Sequence, residues 1–526
     1  MLWNPYTRNV VRHEYSFMWP SQCYPRASGL EGCVLLLQPG LTCWRTAKAD
    51  RVALLVENAS YFAALKEALG KAERSIQLLG WQFDPRTRLD PLSDEESGPE
   101  GEVGHLLRRM VRERPELDVR LLIWKSPLPI AISQGLYPQK ALRWFRRRTV
   151  DLHLDPPWAI GSCHHQKVMV IDERLAFCGG GDISIDRWDS ADHLDDDVRR
   201  CTPSGVICQP RHEVMMMVDG EAAVALGDLF RERWRRATGE RLKSEGGAGD
   251  PWPGSVAPEM TDVDMGVCRT EPSIRRRAAV RENEALHLEC IGQAKRLIYL
   301  ENQYFTSPLI AAAIAQRLEE PDGPEVVIVS TGKSPSWFDQ ATMDGARAAI
   351  LRTLRKADIH GRLSAWRPQT AKGQNIIVHS KVSIIDDRLL RVGSANLNNR
   401  SCGFDTECDV AVEREAEDDF IRSFRRRLIS HFLGVDEETY GNVEAVSRTV
   451  GQAIADLNTG RMARLTDDDP GWWGRFIADY QLGDPAGRSD AWRPWRRKRL
   501  SDLLEHEVQA AIADAASTSK SITSGR

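Results

Sequence analysis

Two short stretches carry residues suited to chemistry. In HHQKVMVID, His165 and Lys167 precede an apolar run that ends at Asp172 and leads on to Gly179. In VHSKVSIID, His379 and Lys381 precede Asp386 and Gly393 at the same spacing. Residues two apart on an extended strand share a face, so each histidine is expected beside its lysine. A lysine next to a ligand position opposes a cation, which makes a zinc site a poor reading of this pattern. A lysine beside a nucleophile instead suits an anionic substrate such as a phosphate. Histidine, with an ordinary pKa of about 6.5, serves as nucleophile when neutral and as acid when protonated. Two such histidines at one site could split a displacement at phosphorus into two easier steps. One attacks to form a phosphohistidine; the other protonates the leaving oxygen, then deprotonates water or an alcohol. The lysines and small-residue turns would hold the phosphoryl oxygens. No metal or other cofactor is called for.

The elements that must position these residues also come in pairs. A predicted helix from Tyr61 and strand Ser75–Leu79 match the helix in NEALHLECIGQA and strand Leu297–Leu300, with Gln82-Phe83 standing where Gln303-Tyr304 stands. The strands DVRLLIWKSP and EVVIVSTGKSP both run into Lys-Ser-Pro, and the Arg-rich stretches PQKALRWFRRR and ARAAILRTLRK follow. Matched pairs in one order, at offsets between 208 and 221 residues, indicate an internal duplication. Asp172-Glu173-Arg174 and Asp386-Asp387-Arg388 are predicted turns into a second strand. Helices alternate with buried-looking strands, so each half should be a layered α/β unit with a mixed or parallel sheet. The division expected is an N-terminal segment (1–40), a first half (41–243), a Gly/Pro-rich linker (244–260), a second half (261–433) and a mostly helical C-terminal extension (434–526) with a disordered polar tail.

Both copies resemble the HKD motif of the phospholipase D superfamily, and the resemblance covers roughly residues 40 to 433. The stretches IYLENQYF, AFCGGGD, VHSKVSIIDDRLLRVGSANLNNRS and PRHEVMMMVDG are similar to its larger, eukaryotic-type members rather than to the compact nucleases, which carry one copy per chain and dimerise. The resemblance implies two pseudo-symmetric α/β/α halves with the active site at their interface. It implies His165 as nucleophile and His379 as general acid/base, with Lys167 and Lys381 on the phosphate, joined by Ser394 and Asn396 of GSxN. Glu213 and Glu407, at matching places, would orient the histidines through Nδ1. The first copy departs from GSxN, with Gly180 for the serine and Asp182 for the asparagine, which puts its phosphate contacts there in question. Asp172 and Asp386 complete the catalytic motif but read as buried turn anchors.

Other features have plainer readings. His164 faces Val378 in the second copy and is read as a supporting residue; Cys163 has no matching cysteine and is read as a buried free thiol. Asp192–Cys201, rich in aspartate, lacks calcium-loop spacing and is expected as a solvated loop near the mouth of the site. GWWGRF (471–476) and AWRPWRRKRL (491–500) fit an anionic membrane interface or a packed, solvated C-terminal helix equally well.

Length and composition bound the function. The 526 residues suffice for two sizeable cores, and 42% apolar and 28% charged residues are those of a soluble globular protein. Eleven cysteines without a CxxC pair read as reduced thiols. No signal peptide and no apolar run long enough to span a membrane is recognised, so a cytoplasmic or peripheral membrane location is expected. The net charge of −4 gives no global basic field, which counts against nucleic acid as partner. The expected function is that of a phospholipase D hydrolysing glycerophospholipids at a membrane surface to phosphatidic acid and a headgroup alcohol, with water or another alcohol as acceptor. The alternatives are a cardiolipin synthase-like phosphatidyltransferase and, further off, a nucleic-acid phosphodiesterase. With both motifs in one chain, a monomer is expected.

Overall fold

The computed structural model describes residues 35–91, 98–128, 137–145, 150–244, 246–274, 277–468, 471–494 and 497–504. The expected N-terminal segment up to residue 34, Arg146–Arg148 of the first Arg-rich stretch, Trp495 and Arg496, and the polar tail lie outside these residues. Leu36 onward forms one compact unit, which holds the whole sheet and both copies of the motif.

The first half contributes β1 (Arg45–Val56), β2 (Ser75–Gly80), β3 (Asp118–Trp124), β4 (Asp151–Asp155), β5 (Val168–Ile171), β6 (Leu175–Gly179), β7 (Arg211–His212) and β8 (Val214–Asp219). The second contributes β9 (Met260–Glu271), β10 (Val280–Arg281), β11 (Leu297–Asn302), β12 (Glu325–Ser330), β13 (Leu363–Pro368), β14 (Ile377–Val378), β15 (Val382–Ile385), β16 (Leu389–Gly393) and β17 (Glu407–Glu413); β18 (Met462–Arg464) follows. The long strands join in one mixed sheet, ordered β18-β13-β12-β11-β15-β16-β17-β9-β1-β8-β6-β5-β2-β3-β4. Leaving out β18, this order reads the same from both ends once equivalent strands are matched. Its centre is the antiparallel β1–β9 pair, in register at Ala49 and Val263. The two halves therefore share a single sheet, joined by main-chain hydrogen bonds.

Pleating sends successive residues of each strand to opposite faces. Val168, Val170, Val214, Met216 and Val218 face a core shared by both halves and capped by α2 (Gly220–Thr238) and α4 (Asp419–Leu433). Met169, Ile171, Met215 and Met217 face the layer containing α1 (Asn58–Lys71). In the second half that outer layer is built from α3 (Glu282–Gln293) and the helices Pro308–Glu319 and Gly345–Ala357. The result is a three-layer α/β/α architecture with helices on both faces. Helix α4 starts where the Asp418 carboxylate accepts from the N–H groups of Phe420 and Ile421, and stops at Gly434, whose φ of 70° favours glycine. Among the described residues no helix is long and apolar enough to cross a membrane.

The motif aspartates set the register of each half. Asp172 and Glu173 have φ of 52° and 50°, Asp386 and Asp387 53° and 48°, closing tight hairpins β5–β6 and β15–β16. The Asp172 carboxylate accepts from the N–H groups of Glu73, Arg74 and Ser75, each at 2.7 Å, where β2 begins. Asp386 does the same for Lys295, Arg296 and Leu297 at 2.7–2.8 Å, where β11 begins. This common anchor places Ser75 opposite Leu297 and so corrects the predicted repeat by one residue. Phe83, which bridges to Ile183, is equivalent to Phe305, which bridges to Leu397, rather than to Tyr304.

Two other expectations change. Among its described residues the Gly/Pro-rich segment 244–260 has no regular element before β9, yet it is pinned to the first half. Trp252 is buried, its Nε1–H donating to Val256 O at 2.8 Å, and Glu67 accepts from Gly254 N–H and the Ser255 hydroxyl. The insert Asp192–Cys201 is solvated in part, with Asp192, Leu194, Asp196 and Val198 exposed, but it is also a strap pinned from inside. His193, Asp197 and Arg200 are buried, and Arg200 donates to Asp189 Oδ1 at 2.8 Å; a buried guanidinium demands such a partner.

Replacing Asp172 by alanine strands three N–H groups at the head of β2. The expected loss is on the order of 3 kcal/mol in urea unfolding, with Asp172→Asn intermediate.

Candidate active site

The motif histidines lie just before β5 and β15, and each is held by the opposite half. His165 N–H donates to Thr406 O at 2.9 Å, and His379 N–H to His212 O at 2.8 Å. The short β14 pairs in parallel with β7 on one side, and His164 bridges Thr406 on the other. The side chains cross in the same way. His165 Nδ1 is 3.0 Å from Glu407 Oε2 and 3.1 Å from Ser394 O; His379 Nδ1 is 2.8 Å from Glu213 Oε1. Each imidazole of one half therefore meets a glutamate of the other. The His379–Glu213 contact is an ion-pair approach without hydrogen-bond alignment.

The lysines sit under the histidines. Lys167 Nζ donates to His165 O at 3.0 Å and lies 3.3 Å from Asp182 Oδ2; Lys381 Nζ donates to His379 O at 2.6 Å. Ser394 and Ser401 hydroxyls each donate to Glu407 at 2.6 Å. Asn396 is buried, and its Oδ1 has no hydrogen-bond partner among the described residues. The first copy's departure has a steric reason. A Cβ at Gly180 would stand 2.6 Å from Glu213 Oε2 and 2.8 Å from His379 O, so the space of the serine is already filled. Asp182, in the asparagine's place, accepts from the Trp81 and Gln82 N–H groups at 3.0 and 3.2 Å.

Asp172 and Asp386 fall outside this cluster, at the far ends of β5 and β15, where they anchor the heads of β2 and β11. Counted with the catalytic motif but read as turn anchors, they stand as the second of these. Supporting parts fall where the sequence suggested. His164 is buried between Thr406 Oγ1 at 3.1 Å and Pro156 O at 3.0 Å. Cys163 is buried, and burial pushes its thiol well above the ordinary range, away from thiolate chemistry.

Four residues here escape a reading of the sequence. Arg187 and Arg211 are buried beside His379 and Glu213, with Arg187 Nε and Arg211 Nε lacking hydrogen-bond partners among the described residues. Ser401 is placed by the C-terminal segment, where buried Asp484 accepts from the N–H groups of Asn399 and Arg400 at 3.0 and 2.9 Å. Trp81 lies edge-on to His165 with ring centroids 6.3 Å apart. Only adjacency to motif residues could have flagged them, since lone arginines and tryptophans carry no pattern.

The electrostatics follow from burial. Burial first, then the charges of Lys167 and Lys381, holds His165 well below the usual histidine range; burial, Lys381 and Arg211 do the same to His379. Burial pulls Lys381 down to about 7, with Glu213 opposing and Lys167 reinforcing. Burial pushes Glu407 up to about 8 against the Ser394 and Ser401 hydroxyls, and it raises Glu213 as well. Two neutral imidazoles thus stand among four buried cationic side chains, which stay charged at least cost when an anion lies between them.

This paired geometry is the two-motif arrangement of the phospholipase D superfamily, to which the chain is similar. Residues 287–429 match the family described as "Cardiolipin synthase, PLD-like domain". Among curated relatives, phospholipase D1 of Saccharomyces cerevisiae is 23% identical over 502 residues, covering 74% of this chain and 29% of that protein. Phospholipase D A of Dictyostelium discoideum is 24% identical over 466 residues, covering 73% of this chain and 36% of that protein. The chain thus spans about a third of the length of these two relatives. A solved structure, phosphatidylserine synthase of Haemophilus influenzae Rd KW20, has a TM-score of 0.47 at 12% identity, covering 73% of this chain and 87% of that one.

Two outcomes test this geometry. Gly180→Ala should displace Glu213 and His379 and lower phosphodiesterase kcat by on the order of 100-fold with little change in unfolding midpoint. The pH profile of kcat/KM should be bell-shaped. Below its depressed pKa, His165 is protonated and has no free lone pair, so the acid limb should lie under the ordinary histidine value. Above about 7, Lys381 loses its charge, so the alkaline limb should fall near neutrality and move upward in Lys381→Arg.

Proposed function

We propose that the chain is a phospholipase D-type phosphodiesterase acting on glycerophospholipids, with His165 as nucleophile and His379 as general acid/base. His165 Nε2 attacks phosphorus, forming a P–N bond as the bond to the headgroup oxygen breaks, and His379, which takes up a proton once the anionic phosphodiester offsets the surrounding cations, delivers that proton to the oxygen. Water or a second alcohol then gives its proton to His379 and attacks the phosphohistidine, releasing phosphatidic acid or a transphosphatidylation product. Lys167, Lys381, Arg187, Arg211 and Asn396 would hold the phosphoryl oxygens as charge builds. Glu407 and Glu213 would fix each imidazole through Nδ1 and regain full charge when its ring becomes cationic.

The observation that carries this reading is the reciprocal His–Glu pairing within a ring of buried cations. A single site of this kind fits a phosphodiester with two substituents to exchange.

The lipid as substrate rests on a separate feature. Trp337 and Phe338 are 78% and 58% exposed, and Trp472 and Trp473 are 63% and 62% exposed. The helix carrying the second pair, Gly471–Asp479, packs on Gln340–Asp344, directly after the first. Asp339 bonds Tyr304, which lies close enough to Arg211 to act on its charge, so this aromatic face adjoins the site. Aromatic rings beside an anion site suit the headgroup depth of a membrane, which supports a peripheral location. The match of residues 287–429 favours one second reading, phosphatidyl transfer to an alcohol of a second lipid, by the same intermediate.

The test is phosphatidylcholine or phosphatidylethanolamine vesicles with ethanol, beside a single-stranded DNA control. Phosphatidylethanol is expected from the wild type and reduced by roughly 10²–10⁴-fold in His379→Ala, with His165→Ala at least as low. DNA cleavage with inert lipid would sink the lipid reading. Mapping trapped phosphate to His379 instead of His165 would reverse the two roles.

A further inference from the structure

Behind His379 lies a second constellation that the reaction does not use. Four side chains, all at least nine-tenths buried, converge from separate places: Glu57 at the end of β1, His193 on the strap, His212 on β7, and His431 in the last turn of α4. Glu57 Oε1 lies 2.5 Å from His212 Nδ1, 3.2 Å from His193 Nε2 and 3.0 Å from His431 Nε2; the last two nitrogens are 3.0 Å apart.

Proton accounting decides what such a cluster can be. The outward nitrogens of two rings are already committed. His193 Nδ1 is 2.8 Å from Asp189 Oδ2, which also accepts from Arg211 N–H. His212 Nε2 is 3.0 Å from Glu301 Oε2, which also accepts from the Ser380 hydroxyl. Carboxylates that already accept other protons require N–H donors, so these outward nitrogens carry the hydrogens. In the neutral rings the inward nitrogens then present lone pairs, toward each other and toward a carboxylate oxygen. His193 Nε2 and His431 Nε2 can share only one proton between them. Protons can link these inward atoms only in pairs, whereas one cation can take a lone pair from all four, which lie within 4.8 Å of one another.

We infer that Glu57, His193, His212 and His431 bind a divalent transition-metal ion, zinc by donor type, as a structural centre. The His₃Glu set and the outward carboxylates reproduce the ligand-plus-carboxylate arrangement of histidine metal sites. Four ligands at ordinary zinc bond lengths stand about 3.3 Å apart in a tetrahedron, close to three of the four separations given, and all six lie within 4.8 Å. Four protein donors leave no open position, so the ion holds structure rather than substrate.

What it holds is the rear of the active site. Glu57 is tied to Glu213 twice, its N–H donating to Glu213 O at 2.9 Å and its side-chain Oε2 accepting from Glu213 N–H at 3.2 Å. His212 O accepts from the N–H groups of His379 and Ser380. Glu57 itself sits at φ 68° and ψ 148°, a conformation costly for a residue with a Cβ unless its side chain is firmly tied. Three ligands come from the first half and His431 from the second, so the ion would clasp the halves together. The inference is independent of the proposed phosphodiesterase reaction.

The full chain, purified without chelator, is expected to contain about one zinc per molecule by elemental analysis. After chelator treatment, cobalt(II) should give the visible d–d bands of four-coordinate cobalt, saturating at one equivalent, and zinc should raise the melting temperature. His431→Ala, which removes the least buried donor, should lose the cobalt bands and the zinc-induced shift, while His153→Ala, outside the cluster, should keep both. Folding of each variant is checked by circular dichroism, and should His431→Ala not fold, the wild-type titration alone decides. A folded wild-type chain that arrives without metal, shows no cobalt bands in excess cobalt and gains no thermal stability from zinc would overturn the site. So would a folded His431→Ala chain that binds cobalt with the wild-type spectrum.

Discussion

The exchange of glutamates between the halves is the constraint on which the site depends. Each imidazole is delivered by one half and met at Nδ1 by a glutamate of the other, His165 by Glu407 and His379 by Glu213. Neither half alone contains a complete histidine–glutamate pair. The main chain repeats the crossing, since Thr406 O and His212 O receive the two histidine N–H groups. The continuous sheet makes such sub-ångström matching between halves attainable. Joined through β1 and β9, they are positioned by a ladder of hydrogen bonds instead of a compliant linker.

Symmetry of the backbone does not extend to the chemistry. Ser394 supports Glu407, whereas Gly180 leaves Glu213 without a hydroxyl and exposes it to Arg211 and Arg187. Asp182 stands where Asn396 stands, so one copy adds a carboxylate and the other an amide. Two imidazoles in unequal fields are what a two-step displacement needs, because one must attack while the other trades a proton.

Much of this was legible in the sequence. The two motifs, their duplication and the strand-turn-strand pattern follow from residue type and spacing, Glu213 and Glu407 were implied by the family resemblance, and the structure brings His165, Lys167, His379, Lys381, Ser394, Glu213 and Glu407 together. The predicted alignment slipped at Gln82-Phe83 because aromatic and amide types recur there, and only the aspartate anchors fix the register. Arg187, Arg211 and Ser401 were invisible because their proximity arises from loops that the pattern does not constrain. Asp192–Cys201 looked solvated by composition. A run of aspartates and arginines reads as surface unless one knows that Asp189 and Arg200 neutralise each other inside. His193, His212 and His431 were missed for a like reason, being 19 and 219 residues apart in the chain.

The seam between β1 and β9 has a consequence for solubility. A half of this sheet taken alone would end in a bare twelve-residue strand, a template for association with any other chain. Fusing two halves spends both of these edges on each other. What is left at the sheet's ends is β4, five residues long, and β18, three residues long, which caps the end of β13. Short terminal strands offer little main chain to an intruder, so the same junction that aligns the chemistry also blunts aggregation.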